Sequence, residues 1–262
     1  MLDPIEILLR KIGRKALYET PAARFAGHRE NVAVGFHALC AGRRPSGLTS
    51  TSIDLERDKL GDLLARMAHL EAAGVIAFER LAVELAAHGA PQSLIGQATG
   101  AAEDERRHAH SIADLAWARG GEPVAVETLP FTARSLFEMA LENAVEGCIR
   151  ETYGALVGAY QATRARDLDL RLAMRTIAPE EARHAALAHA VHLWALEQLS
   201  ETERDQLRRA QVAAVFGLAR ECAVPPDSEL MEQAGLPDSG VACQLLGELT
   251  RELWSPSGQY AA

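Results

Sequence analysis

The chain has no Cys-x-x-Cys pair, no basic block, no apolar run of bilayer-spanning length and few aromatic residues. Each absence narrows the reading. Cys40, Cys148, Cys222 and Cys243 are widely spaced, which excludes a zinc-ribbon or rubredoxin-type site and suits free thiols in a reducing compartment. With 27 Lys and Arg against 36 Asp and Glu the formal charge is −9, so nucleic acid is not an expected partner. A membrane span takes roughly 20 consecutive apolar residues and none is present. The N-terminal MLDPIEILLRKIGRK mixes charges into its apolar run and lacks a small-residue cleavage site, so it does not read as a signal peptide. A cytoplasmic location, without membrane attachment, is the expectation.

What is there instead is alanine, leucine and helical periodicity, and the expected fold class is all-α. Residues 4–18 read as a short amphipathic helix and 41–52, AGRRPSGLTSTS, as a loop. Four long helices follow, over 54–88, 91–119, 132–164 and 167–199. Gly89 and Pro91 mark the first turn and Asp167 is a ready N-cap for the fourth helix. Ser200 with Glu203 forms a capping box for a fifth helix to Cys222, and after PPDSE a last helix occupies 240–253. The expected divisions are an N-terminal helix and loop over 1–53, a four-helix bundle over 54–199 and a C-terminal helical extension over 200–262. Tight turns make each helix pair an antiparallel hairpin. The eleven residues 120–130 between the pairs can stretch to roughly 36–40 Å, enough to travel the length of a bundle. Two antiparallel hairpins joined by one long crossover is the ferritin-like arrangement.

Glu-x-x-His occurs at Glu105–His108 and again at Glu181–His184. Chance alone would supply about one such motif. The surroundings are what distinguish it, because AEDERRHA and APEEARHA match in register, each in the second helix of a hairpin. The first helices carry a matching glutamate. Glu71 lies 34 residues before Glu105 and Glu146 lies 35 before Glu181, with Phe78 and Leu81 after the former paralleled by Tyr153 and Leu156 after the latter. The chain thus reads as a duplicated hairpin. Residues equidistant from a hairpin turn share a level, and both pairs centre near their expected turns, so four glutamates can lie in one slab. Four carboxylates cannot be buried bare, since each isolated charge is costly and like charges repel. Two divalent ions would balance them, and mixed carboxylate and imidazole ligation suits iron or manganese.

On DERRH at 104–108 and EEARH at 180–184 the chain resembles the ferritin-like di-iron carboxylate superfamily, with rubrerythrin-like and bacterial ferritin-like domain proteins as the nearest pattern, over roughly residues 54–198. The resemblance implies Glu71, Glu105, His108, Glu146, Glu181 and His184 as ligands of two iron ions, with manganese the other option. It also implies that Asp104 and Glu180 accept hydrogen bonds from His184 and His108 across the bundle; Glu180 stands where the pattern has Asp.

Around these, Glu142 shares the Glu146 face and reads either as a seventh carboxylate or as polar lining, while Glu151 is expected to point away. Tyr153 reads as a core aromatic, with a redox or hydrogen-bonding role the other option. Arg107 and Arg183 read as an ion pair supporting the site or as solvated surface. His69 and His110 are expected to be exposed, and His189 and His192 to stand without matching partners. A pocket is expected near Ala73–Gly74 and Gly147–Cys148. The functional expectation is an oxidoreductase, an oxidase or monooxygenase type using O2 on a small organic substrate with an external electron donor. The alternatives are ferroxidase and iron storage, peroxide reduction of the rubrerythrin or manganese-catalase kind, and a metal-free interaction bundle. The extra N- and C-terminal helices favour a monomer or homodimer over a closed shell.

Overall fold

The computed structural model describes residues 6–12, 43–48 and 58–254, and among these the only regular structure is helical. Of the expected N-terminal helix, 6–12 is helical and the remainder lies outside the described residues, as do positions 54–57 of the first bundle helix and the outer parts of the 41–52 loop. The long helices are α1 (Lys59–Ala87), α2 (Gln92–Ala118), α5 (Leu168–Leu196) and a composite third rod. That rod comprises α3 (Leu136–Glu142), a π-helical segment Asn143–Glu151 and α4 (Thr152–Arg164). Beyond the bundle come α6 (Glu201–Cys222), α7 (Ser228–Gln233) and α8 (Ser239–Leu249), which ends in a π turn, Thr250–Trp254. Among the described residues no helix is long and apolar enough to cross a membrane.

The caps explain the boundaries. Asp58 Oδ1 accepts from the amides of Leu60 (2.9 Å) and Gly61 (3.2 Å), and Asp167 Oδ1 from Leu170 (2.9 Å), satisfying amide groups that a helix N-terminus leaves open. Ser200 and Glu203 form their reciprocal box, as the sequence indicates. The third rod starts at Leu136, four residues later than expected, because Ser135 and Glu138 make a second capping box. The single C-terminal helix expected over 240–253 is preceded by the short α7, capped by Asp227.

α1 packs along α2, and α4 along α5, as two hairpins whose apolar stripes face inward. The crossover between them climbs α1. Gly121 sits against Gly61 so closely that a Cβ on either would overlap backbone of the other strand of chain. Further on, His69 Nδ1 donates to the Val124 carbonyl (2.9 Å), Arg80 donates to Thr128 Oγ1 (2.9 Å) and the Leu129 carbonyl (3.0 Å), and Arg134 clasps Glu84. The third rod therefore begins beside the end of α1. α6 and α8 cover the outer side of the third rod, with Arg150 paired to Glu221 (3.0 Å) and Trp254 Nε1 donating to the Cys148 carbonyl (3.1 Å).

Candidate metal centre

The inward stripes are apolar except at one level. On α1 the buried positions Leu60, Leu64, Met67, Glu71, Phe78, Leu81 and Leu85 follow helical spacing, and Glu71 stands where a leucine would be expected. On α2 the stripe Ala98, Ala101, Glu105, His108, Ile112 carries two ionisable groups, and on α5 Ile177, Glu181, His184, Ala188 does the same. Glu105 is 0% exposed and both histidines 2%. Gly74 makes room for the cluster, since a Cβ there would stand 2.8 Å from Glu105 Oε2.

Two groups of ligand-type atoms result, each with its members within 4.8 Å of one another: Glu71, Glu105, His108 and Glu181, and Glu105, Glu151, Glu181 and His184. Glu105 and Glu181 belong to both. His108 Nδ1 lies 3.1 Å from Glu181 Oε1 and 3.5 Å from Glu71 Oε2; His184 Nδ1 lies 3.1 Å from Glu105, 3.6 Å from Glu181 and 3.8 Å from Glu151. None of these approaches is aligned as a hydrogen bond. Glu71 Oε2, both oxygens of Glu105 and of Glu151, Glu181 Oε1 and both Nδ1 atoms are buried without a hydrogen-bond partner. Buried polar atoms are nearly always satisfied, and so many orphans converging on one place are what a pair of cations would satisfy.

The far side of each imidazole is tied down. His108 Nε2 donates to Glu180 (2.7 Å) and His184 Nε2 to Asp104 (3.3 Å), so each ring is held by an acid from the opposite hairpin with Nδ1 turned inward. Arg107 contacts Asp104 (2.5 Å) and Glu180 (3.2 Å), and Arg183 contacts the same two acids at 3.4 and 3.3 Å. The two arginines are thus half-exposed bridges between the acids. Glu180, one methylene longer than Asp104, makes the shorter of the two contacts.

Electrostatics show the strain of this packing. Burial, with repulsion from Glu181 and Glu71, raises the Glu105 pKa well above the usual carboxylate range. Burial pushes Glu151 up to about 8, with Arg43 and His184 pulling the other way. Burial would also raise Glu181, but His108 and His184 overcome it and lower the carboxyl to about 2. Burial favours neutral His108, yet Glu181 and Glu71 outweigh it and carry the imidazole up to about 11. Protons and imidazolium charge therefore do the balancing that bound cations could do.

The largest departure from the sequence reading concerns Glu146. The structure brings five of the six expected residues together and places Glu151, not Glu146, in the second group. The cause is the π-helical segment, which winds more residues into each turn and breaks the 3.6-residue periodicity between the two glutamates. Glu146 is mostly buried nearby, 3.8 Å from Arg150. Two signals pointed to Glu151. The turn of the second hairpin falls at Ala165–Arg166, just ahead of the Asp167 cap, and the midpoint of 151 and 181 is residue 166. In addition, Glu71-Ala-Ala-Gly74 and Glu151-Thr-Tyr-Gly154 share a Glu-x-x-Gly pattern.

The other neighbours of the cluster partly follow the sequence reading and partly depart from it. Glu142 is in neither group; it accepts from Arg134 Nη1 (2.5 Å) and the Ser46 amide (3.2 Å). Tyr153 is core, its hydroxyl oxygen accepting from the Cys222 thiol (3.3 Å). His69 is buried rather than exposed because the crossover covers it, while His110 is on the surface as expected. His189 and His192 are buried, and His189 Nε2 meets Thr152 Oγ1 at 3.3 Å. The positions expected to open a pocket are filled: Gly147 faces Ala188 and Arg43, and Cys148 is fully buried. Space occurs instead beside Gly154 and Gly158. There a cavity of about 20 Å³, enough for one water-sized molecule, is walled by Met67, Leu70, Val157 and Met174 and reaches Glu71 and Glu181.

Set against protein-family models, curated proteins and solved structures, the chain matches none.

Proposed function

We propose that the protein is a ferritin-like, two-metal carboxylate oxidoreductase, with iron the first choice of metal and manganese the second. The observation that carries this reading is the pair of buried Glu/His groups sharing Glu105 and Glu181, one group completed by Glu71 and His108 and the other by Glu151 and His184. The two hairpins and the crossover that climbs α1 support the ferritin-like assignment. Three carboxylates and one imidazole in each group form a donor set for iron or manganese, poor for zinc structural sites and too rich in nitrogen for calcium. A ferrous pair there would supply electrons two at a time to dioxygen.

The residues of the chain have distinct parts in this. Glu105 and Glu181, common to both groups, would hold the ions with Glu71, Glu151 and the two imidazoles, and Asp104 and Glu180 fix the tautomer and direction of those imidazoles. The apolar walls around Phe78, Met67 and Val157 exclude water from the reacting side. A second reading is peroxide consumption. It is favoured by the small size of the cavity that reaches Glu71 and Glu181.

Anaerobic loading with ferrous ion, ion counting and then admission of oxygen test the proposal. About two ions per chain, followed by growth of near-ultraviolet ferric absorption, is the expected result. Fewer than one ion per chain would refute the metal reading. Paired ions inert to oxygen but releasing it rapidly from peroxide would put the second reading first.

A further inference from the structure

Arg43 comes from a polar loop 100 residues away in sequence from its hydrogen-bond acceptor, Asn143, yet it is 1% exposed. Segment 43–48 is pinned at several points. Arg80 donates to the Ser46 carbonyl (2.8 Å), Glu142 accepts from the Ser46 amide, and Leu48 bridges to Thr128 of the crossover. The pinned strap sends the Arg43 side chain into the bundle beside the π-helical segment. Nη1 donates to Asn143 Oδ1 (2.9 Å), and Asn143 is itself oriented by donation from Nδ2 to the Ala188 carbonyl (2.8 Å). The guanidinium carbon lies 5.6 Å from the Phe78 ring centre, and that ring lies 5.0 Å from the ring of His184. Gly147 leaves the space, since a Cβ there would stand 3.0 Å from Nη1 and 2.6 Å from the Ala188 methyl.

This seat is built for a guanidinium and yet satisfies it poorly. Nε is buried without a partner, and among the described residues no carboxylate comes within ion-pair distance. Burying a full charge with a single acceptor is unfavourable unless something at longer range compensates. The carboxylates that can compensate lie one ring away, since the guanidinium faces Phe78, and Phe78 in turn faces His184 of the group that holds Glu105, Glu151 and Glu181.

We propose that Arg43 is a positioning residue of the metal centre, a fixed positive charge delivered by the 43–48 strap that favours the lower oxidation state of a metal pair held beside it. The physical basis is that a metal pair gains positive charge on oxidation, and a buried cation nearby opposes that gain. The inference rests on the two-metal reading above.

The test is a reductive titration of the iron-loaded, full-length protein, with iron counted on the same samples, for wild type, Arg43→Lys, Arg43→Gln and Arg80→Ala. Arg43→Gln is expected to lower the midpoint potential at equal iron content, while Arg43→Lys, which keeps the charge, stays close to wild type. Arg80→Ala touches no candidate ligand but loosens the strap, and should shift the potential the same way by less. A packing role alone predicts that Lys and Gln behave alike, and that result overturns the proposal, as does an unmoved potential in Arg43→Gln. Should Arg43→Gln not fold, Arg80→Ala decides: an unmoved potential overturns the proposal and a lowered one supports it. Wild-type protein that takes up no iron removes the two-metal reading and this inference together, whereas iron uptake with equal potentials removes this inference alone.

Discussion

Glu105 and Glu181 each serve both halves of the site, whereas Glu71 and Glu151 serve one half each. Substitutions should therefore sort by stoichiometry. Glu105→Gln and Glu181→Gln are expected to drop bound ferrous or manganous ion below one per chain, Glu151→Gln to leave about one, and Glu146→Gln to leave two. Counting metal after anaerobic loading and desalting checks the series, and loss of an ion in Glu146→Gln with retention in Glu151→Gln would reverse the assignment. His189 makes a different prediction. Burial, with repulsion from His192, lowers its pKa from 6.5 to about 3. A histidine whose folded pKa lies below its unfolded one contributes fully above about pH 6.5 and loses that contribution as the pH falls towards 3. By pH 5 the loss is on the order of 2 kcal/mol. Denaturant melts at pH 7 and pH 5 should show a smaller difference for His189→Gln than for wild type; equal differences would mean that His189 does not stay neutral. Legibility at this scale followed repetition. Glu105, His108, Glu181 and His184 could be read because two copies of one pattern confirmed each other, whereas Glu71 joins the first group although the glutamate paired with it in sequence, Glu146, is in neither. Arg43 could not, because nothing local distinguishes it from Arg44 in a polar loop, and its burial depends on Gly147 and Asn143 far along the chain.

Among the elements, the third rod departs most from ideal geometry. An α-helix from Ser135 to Arg164 would put Glu146 and Glu151 on different faces, and the sequence pattern alone favours Glu146. The π-helical segment changes which face each residue occupies, and Thr152 Oγ1 donating to the Gly147 carbonyl (3.1 Å) is one local bond that accompanies it. Periodicity cannot anticipate such a segment, because the apolar pattern on either side is still that of an α-helix. The crossover is the other decisive element, and among its several holds on α1 one is a pair built on a fully buried carboxylate. Glu84 is 0% exposed and accepts from the Arg134 amide (3.0 Å), Nε (2.8 Å) and Nη2 (2.7 Å). Arg134→Ala should cost about 3–5 kcal/mol, because it strands a buried carboxylate, and combining it with Glu84→Leu should recover most of that. A double-mutant cycle from urea melts measures the coupling, and additive effects would show that the clamp is not a unit.

At the scale of the whole molecule, α6 and α8 lie against the third rod, their first turns capped by Ser200 and Asp238. On the two-metal reading, the stability of the whole fold should depend on what fills the buried carboxylate slab. A ligand that binds only the folded state at about 100 times its dissociation constant adds about 2.7 kcal/mol. Ferrous or manganous ion should raise the melting temperature accordingly and a chelator should reverse the rise. Zinc-free buffer controls and a Glu105→Gln protein that shows no rise complete the measurement. A melting temperature indifferent to both metal and chelator would point to a bundle stabilised by its protons alone.

The arrangement of the cavity and the strap has a consequence for direction. The cavity touches Glu71, which belongs to the His108 group alone, and the shared Glu181, whereas Arg43 and Phe78 stand on the side of His184. Duplication would have made two interchangeable halves. On the two-metal reading this chain would have instead a front and a back: a molecule arriving through the cavity would meet one half first, while the other half faces Arg43. Two ions held there would be unequal partners from the outset, one placed to greet and the other to be governed.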